Sequence, residues 1–415
     1  MSRLKTDAIR NTSASADALT FDTNGHVTAP GNATITGQLK TAGIRNASAS
    51  SDAITFATDG TCTAKITNNL SNRNLVRNGS CQIQQRGNPT ASADFYPVDA
   101  FRFLADGSDE HQTGTQHALT SSDTGPWEEG FRYSLHIQNG NQTSGAGAAD
   151  YAYLDHRIEA QDMAQSGWNY NSTSSKMTLS FWAKSSVAQT FSFWIWTADG
   201  TQQGWFTTYT LAANTWKKIT ITLPGAANLT FDNNANIGMQ LGWDLFEGTD
   251  YTSGSATVDS WIAWSGSKRA VGGSTWYTTN DATFEITGIQ LEVGDTATDF
   301  EHRSYGDELT RCQRYLEKIQ IHASEIFMIG TNQWGSRTPL ILPFKSQKRA
   351  VPSCTIDASS FDRYAIEDGS NGTVTGTAAA YTTDGMAVTF AALDNSSLYW
   401  ANKTATGYVL GDAEL

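Results

Sequence analysis

Between residues 95 and 303 apolar side chains fall at every second position in one short segment after another. Tyr133, Leu135 and Ile137 share one side of 131–137, and Met177, Leu179, Phe181 and Ala183 share one side of the next. The same alternation holds for Phe191, Phe193 and Ile195, for Ile219, Ile221 and Leu223, and for Ile237, Met239 and Leu241. Phe284 and Ile286 follow, and after Gly288 the run continues through Leu291 and Val293. A period of two with one apolar side predicts half-buried strands, and their number predicts two packed antiparallel sheets. Upstream, Leu75–Gly79 predicts a short strand and turn. Cys81, Ile83 and Gln85 then alternate with polar neighbours until Gly87 and Pro89 end the segment. Residues 304–319 change period. Ser304 and Asp307 resemble a capping box, and Tyr305, Leu309, Cys312, Leu316 and Ile319 form a heptad-like stripe. That stripe suits either an amphipathic helix lying on the sandwich or a short parallel bundle on a symmetry axis. From 321 to 415 the strand pattern returns, with turns expected at Asp368-Gly369, Asn371-Gly372 and Asp384-Gly385.

The N-terminal pattern is repetition. LKTDAIRNTSASADALTFDTNGHVTA at 4–29 returns as LKTAGIRNASASSDAITFATDGTCTA at 39–64, identical at 17 of 26 positions. Each copy holds a single large aromatic (Phe21 or Phe56) among many Ser, Thr, Asn and Ala. So small an apolar set does not offset the entropy of ordering the backbone. Such units gain stability by stacking, along the chain or across identical chains. The expected fold is therefore all-β: N-terminal β repeats at 1–72, a two-sheet β-sandwich at 73–303, a helical connector at 304–320 and a C-terminal β domain at 321–415.

Composition narrows the function. Of 415 residues, 28 are Lys or Arg and 41 Asp or Glu, a formal charge of −13. That balance speaks against nucleic acid, whose phosphates need clustered cations. Lys217-Lys218 and Lys348-Arg349 read as solvated strand faces. The four cysteines are scattered, with no CxxC, and read as reduced buried side chains. MSRLKTDAIRN lacks the apolar core of a signal peptide, and no apolar run approaches the roughly 20 residues of a membrane span. The expectation is synthesis in a cytoplasm without membrane insertion.

Three segments carry a family resemblance. The duplicated LKTDAIRN…DALTF, the stretch NLVRNGSCQIQQRG followed by FYPVDAFRF, and ITGIQLEVGDTATDFEHRSYGDELTRCQRYLEKI at 286–319 resemble tail-fibre and related structural proteins of tailed bacteriophages, particularly of marine and cyanobacterial hosts. SFWAKSS (180–186) and TWKKITITLPG (215–225) are similar to strands of the carbohydrate-binding-type jelly roll in those proteins. The resemblance implies an intertwined homotrimer in the virion tail, joined to other virion proteins through its N-terminus and turning its C-terminal parts to the host. Tyr305, Leu309, Cys312, Leu316 and Ile319 are then the candidate trimer contacts.

Catalytic chemistry has little support. Glu128-Glu129 and Asp106 with Asp109-Glu110 are pairs expected by chance among 41 acids. The seven histidines form no HExxH, and neither GxSxG nor a P-loop occurs. No enzyme activity and no cofactor are expected, although loop Asp residues leave room for a structural Ca²⁺. The 13 tryptophans are the stronger signal. Strand alternation places Trp194 and Trp196 opposite Phe191, Phe193 and Ile195, facing solvent, a loop, a sister chain or a ligand. Trp205 and Trp243 sit beside turns, and flat indoles suit sugar rings. Trp194, Trp196, Trp205 and Trp243 are thus the candidate carbohydrate-binding residues of a fibre attaching to host surface glycan. A purely architectural tail adaptor or head decoration is the alternative, and a polysaccharide depolymerase stands behind both.

Overall fold

A computed structural model of the protein describes residues 72–254, 256–320, 341–356, 377–380, 382–388 and 408–415 with their side chains, and elsewhere the backbone of the strands named below. The chain divides into two compact units, 1–66 and 67–415. In the first, β1 (Ala8–Ile9), β2 (Leu19–Phe21) and β3 (Val27–Thr28) form one antiparallel sheet. The strands β4 (Gly43–Ile44), β5 (Ile54–Phe56) and β6 (Cys62–Ala64) form another. Ile9 pairs with Leu19 and Ile44 with Ile54, so the repeated sequence is also a repeated strand pattern.

The second unit opens with the sandwich. Its elements are β7 (Asp94–Val98), β8 (Phe101–Asp106), β9 (Thr113–Ala118), β10 (Tyr133–Gln138), β11 (Tyr151–Glu159), α1 (Ala160–Ala164), β12 (Lys176–Ser185) and β13 (Gln189–Thr197). Then come β14 (Gln203–Leu211), β15 (Lys217–Pro224), β16 (Ile237–Glu247), α2 (Thr249–Thr252), β17 (Trp261–Ala263), α3 (Thr275–Thr278) and β18 (Thr283–Val293). One sheet has the order β15-β12-β18-β10-β9 and the other β17-β14-β13-β16-β11-β8-β7. From β10 to β13 each strand lies in the sheet opposite its predecessor, a jelly-roll path. Met177, Leu179, Phe181, Leu135, Ile286 and Leu291 of the first sheet and Phe103, Leu154, Phe193, Leu241 and Trp243 of the second are buried in one core. At Gly288 the alternation changes phase. Ser180 faces Gln290 but Trp182 faces Thr287, a bulge that needs the positive φ of +64° at Gly288. Ile286 and Ile289 consequently both reach the core.

Four expectations change. Residues 75–85 form no strand, because side-chain amides occupy the backbone groups a ladder would use. Asn74 donates to the Ile289 carbonyl and accepts from the Leu291 amide, and Asn78 holds Ile83 from both sides. Val76, Cys81 and Ile83 are nevertheless fully buried. The helix at 304–320 ends early: α4 spans Tyr305–Gln313, and after Arg314 the chain turns into β19 (Leu316–Ile321). Asn371-Gly372 opens a strand where a turn was expected. Lys348 is buried, 2.7 Å from Glu317, where a solvated face was expected.

After β19 come β20 (Ile326–Gly330), β21 (Thr338–Pro343), β22 (Ser353–Ile356), β23 (Phe361–Ala365), β24 (Asn371–Val374), β25 (Gly376–Ala380), β26 (Gly385–Phe390), β27 (Tyr399–Lys403) and β28 (Gly407–Asp412). They form sheets β19-β28-β22, β20-β27-β23-β24 and β21-β26-β25. Met386, Val388 and Val409 centre a small core of their own. A bend over 382–384 leads into β26, which Gly385 opens, whereas Asp368-Gly369 lies outside the described residues. Polar contacts join this region to the sandwich: Arg314 donates twice to Glu159 at the end of β11, and Arg86 pairs with Asp412 at 2.8 Å.

Candidate functional site

The alternation of β13 does put Trp194 and Trp196 on the face away from the main core, but the chain covers that face itself. Trp264 lies 5.6 Å from the Trp194 ring and 6.1 Å from Trp196. Arg269 sits 4.4 Å over Trp194, whose indole donates to Asp244 at 2.6 Å. Trp194, Phe206 and Ala270 form a second apolar cluster beneath this cover. A Cβ on Gly242 would collide with the Trp194 ring, so the indole lies directly on the β16 backbone. Trp205 and Trp243 point into the main core. As placed in one chain, Trp194, Trp205 and Trp243 present no face to a sugar, and Trp196 is half-buried.

A different aromatic surface emerges on the outer face of the five-stranded sheet. Outward positions align across the strands, with Lys184 of β12 beside Glu285 of β18, then His136 of β10 and Thr115 of β9. One register step away are Lys218, Trp182 and Thr287, and Trp216 stands just before β15. Lys184 Nζ lies 2.8 Å from Glu285 and 4.8 Å from the centre of the Trp216 ring. Glu285 also accepts from Ser134 at 2.8 Å and meets His117 Nδ1 at 3.0 Å. Burial pushes the Glu285 carboxyl upward, but Lys184, His117 and Ser134 outweigh it and hold it below the usual carboxylate range. Burial favours neutral His136, against the opposing pull of Glu285.

The β9–β10 connection, residues 119–132, borders this face. Against the effect of burial, the Thr120 amide, the Trp216 indole and Lys184 bring the Asp123 carboxyl down to about 2. Its Oδ1 accepts from Trp216 Nε1 at 3.0 Å and from Lys184 at 3.2 Å. Glu129 accepts from Trp182 Nε1 at 3.0 Å and from Lys218 at 2.9 Å. The loop backbone at Gly125 lies on the Trp182 ring. Trp182 and Trp216 are both partly exposed. The result is a shelf of two fixed indoles beside charged donors and acceptors. It can stack a flat apolar ring face and exchange hydrogen bonds with hydroxyls around it. Neither Trp182 nor Trp216 is among the tryptophans expected to bind sugar. The signal is present in the outward parity of Trp182, which lies between the inward Phe181 and Ala183.

The stripe at 305–319 is dispersed. Tyr305 is 59% exposed, while Cys312 and Leu316 are buried in their own chain. Leu309 and Ile319 are half-buried, the latter against the C-terminal core. Only Tyr305 and Leu309 share an accessible helix face, so the five do not form one contact surface. Asp109 holds Ser144, Glu110 holds Asn141, and Glu128 caps Gly125. His302 meets the Glu129 carbonyl at 2.9 Å and packs on Phe131. Among the described residues no group of three His, Cys, Asp or Glu side chains is placed to hold a metal ion.

No protein-family model matches the sequence, and no curated protein matches it. Among solved structures the chain is similar to the enzymatically active domain of bacteriophage CBA120 tailspike protein 4, at 12% identity and a TM-score of 0.30. That match covers 53% of this chain and 21% of the tailspike chain. A putative sugar binding protein from Bacteroides thetaiotaomicron is similar at 12% identity and TM-score 0.29, over 53% of this chain and 99% of that one. The N-terminal cellulose-binding domain of Cellulomonas fimi β-1,4-glucanase C is similar at 12% and 0.26, over 47% and 90%.

Proposed function

We propose that this chain is a non-enzymatic fibre subunit of a phage tail that attaches to host surface glycan through the outer face of its five-stranded sheet. The observation that carries the reading is the partly exposed Trp216 indole beside Lys184 and His117 on the outer sheet face, the positions of both fixed by the buried Glu285 carboxylate beneath them. The segments that resemble tail-fibre proteins support the virion setting. The chain acts as a homotrimer joined to other virion proteins through its N-terminal unit. Three copies of a weak sugar site then raise avidity by orders of magnitude without new contacts. Binding of the purified chain to an array of bacterial surface glycans tests the reading. Trp216→Ala should remove the signal while circular dichroism and melting temperature hold, and undiminished binding by that variant would sink it.

One observation favours the architectural alternative. Trp182 is already engaged by Glu129 and by the backbone at Gly125, and Trp194, Trp205 and Trp243 are consumed by the fold. On that reading no array glycan binds, and the chain only builds the particle.

A further inference from the structure

A cavity of about 590 Å³ lies where residues 72–77, α1 and α4 meet, and four arginines line it: Arg77, Arg303, Arg311 and Arg314. Two of them are neutralised by neighbouring carboxylates. Arg314 is held by Glu159 at 2.7 and 2.8 Å, and Arg303 by Glu301 at 2.9 Å and Glu308 at 3.2 Å. The other two have no carboxylate within ion-pair distance among the described residues, although Glu159, Asp162 and Glu414 act on Arg77 from farther away. Arg77 is 7% exposed and stacks 3.5 Å over the Tyr315 ring, and neither its Nε nor its Nη1 has a hydrogen-bond partner. Arg311 stands on the last turn of α4 with a 2.8 Å bond to Asn72 and no carboxylate partner among the described residues. Asp162 is the one acid on the cavity wall. It is exposed; partial burial and then Glu159 raise its carboxyl above the usual range, while Arg77, Arg314 and Arg311 pull it back.

A guanidinium desolvated with unmet donors is costly unless an acceptor reaches it. Its planar fork matches the two oxygens of a carboxylate or phosphate. We infer that this cavity binds an oxyanion group, either the carboxylate of an acidic sugar or a phosphate, between Arg77 and Arg311. The cavity shares no residue with the sheet face, so the inference stands whether or not that face binds glycan. An extended nucleic acid is a poor fit, because the net charge of the whole chain is strongly acidic.

Calorimetric titration of the full chain with inorganic phosphate, glucuronate and neutral glucose tests it. One or both anions should bind, glucose should not, and rising salt should weaken the binding. Binding of glucuronate alone identifies an acidic sugar, and binding of phosphate alone a phosphate group. Arg311→Ala changes an exposed side chain and should weaken the anion on the order of tenfold, the worth of one charge-assisted hydrogen bond. Arg77→Gln should abolish binding without lowering the melting temperature. Silence toward both anions, or wild-type affinity in Arg311→Ala, would overturn the site. So would a less stable Arg77→Gln variant that still binds, which would make Arg77 a structural stack on Tyr315.

Discussion

Trp194 lies with its indole on Asp244, its ring under Arg269 and its flank on Trp264. Removing it opens a cavity and takes the indole donor from Oδ1 of the buried Asp244, which keeps Ser192 on Oδ2. Trp194→Ala should therefore destabilise the chain by about 3–5 kcal/mol in chemical unfolding; a loss under about 1 kcal/mol would mean that the cover is loose. Strand alternation predicts the correct side of the sheet for this indole but not its cover, because Trp264 and Arg269 come from a distant downstream segment. His156 makes a second prediction. It is buried in its neutral form, with Nδ1 3.0 Å from the Ala100 carbonyl and Nε2 facing the Arg77 amide. Burial, then Arg77, depress its pKa well below the usual 6.5. The unfolded chain takes up that proton first. The stabilisation is thus complete above about pH 6.5 and is lost as pH falls below it. His156→Gln should flatten the acid limb of melting temperature against pH, and an unchanged limb would remove His156 from the account.

Among the elements, the sandwich strands are legible in the sequence because their apolar period is local. Met177, Leu179, Phe181 and Ala183 all reach the core, as the alternation requires. The helix is legible only at its start. Ser304 accepts from the Asp307 amide at 3.2 Å, the expected cap, and Ser304→Ala should cost about 1 kcal/mol. Its end is not legible, because Leu316 and Ile319 fit a heptad by spacing while their true partners lie far along the chain. Leu316 pairs with Asp412 and Ile319 with Val409 in β28. The segment at 75–85 misleads for a related reason. Its alternation is real burial, but the side chains of Asn74 and Asn78 displace the ladder.

For the molecule as a whole, buried charge ties the sandwich to the C-terminal β region at Glu159, which receives Arg314 and the Tyr315 hydroxyl. Within that region Glu317 of β19 receives Lys348 and the Lys345 amide. Glu317→Gln leaves the Lys348 ammonium without a counter-charge and should lower stability by about 3–5 kcal/mol. A near-neutral result would show that water reaches the pair. Oligomerisation belongs to the same scale, and light scattering should give about three times the 44.9 kDa chain mass; a stable monomer at micromolar concentration would refute the trimer. The central claim is the sugar-binding face, and it is read most directly from the tryptophan indole N–H resonances during titration with a glycan that the chain binds. The account predicts that the Trp216 and Trp182 signals shift together and saturably, while those of Trp194, Trp205 and Trp243 stay in place. Shifts confined to the latter three, or to none of the five, would contradict it.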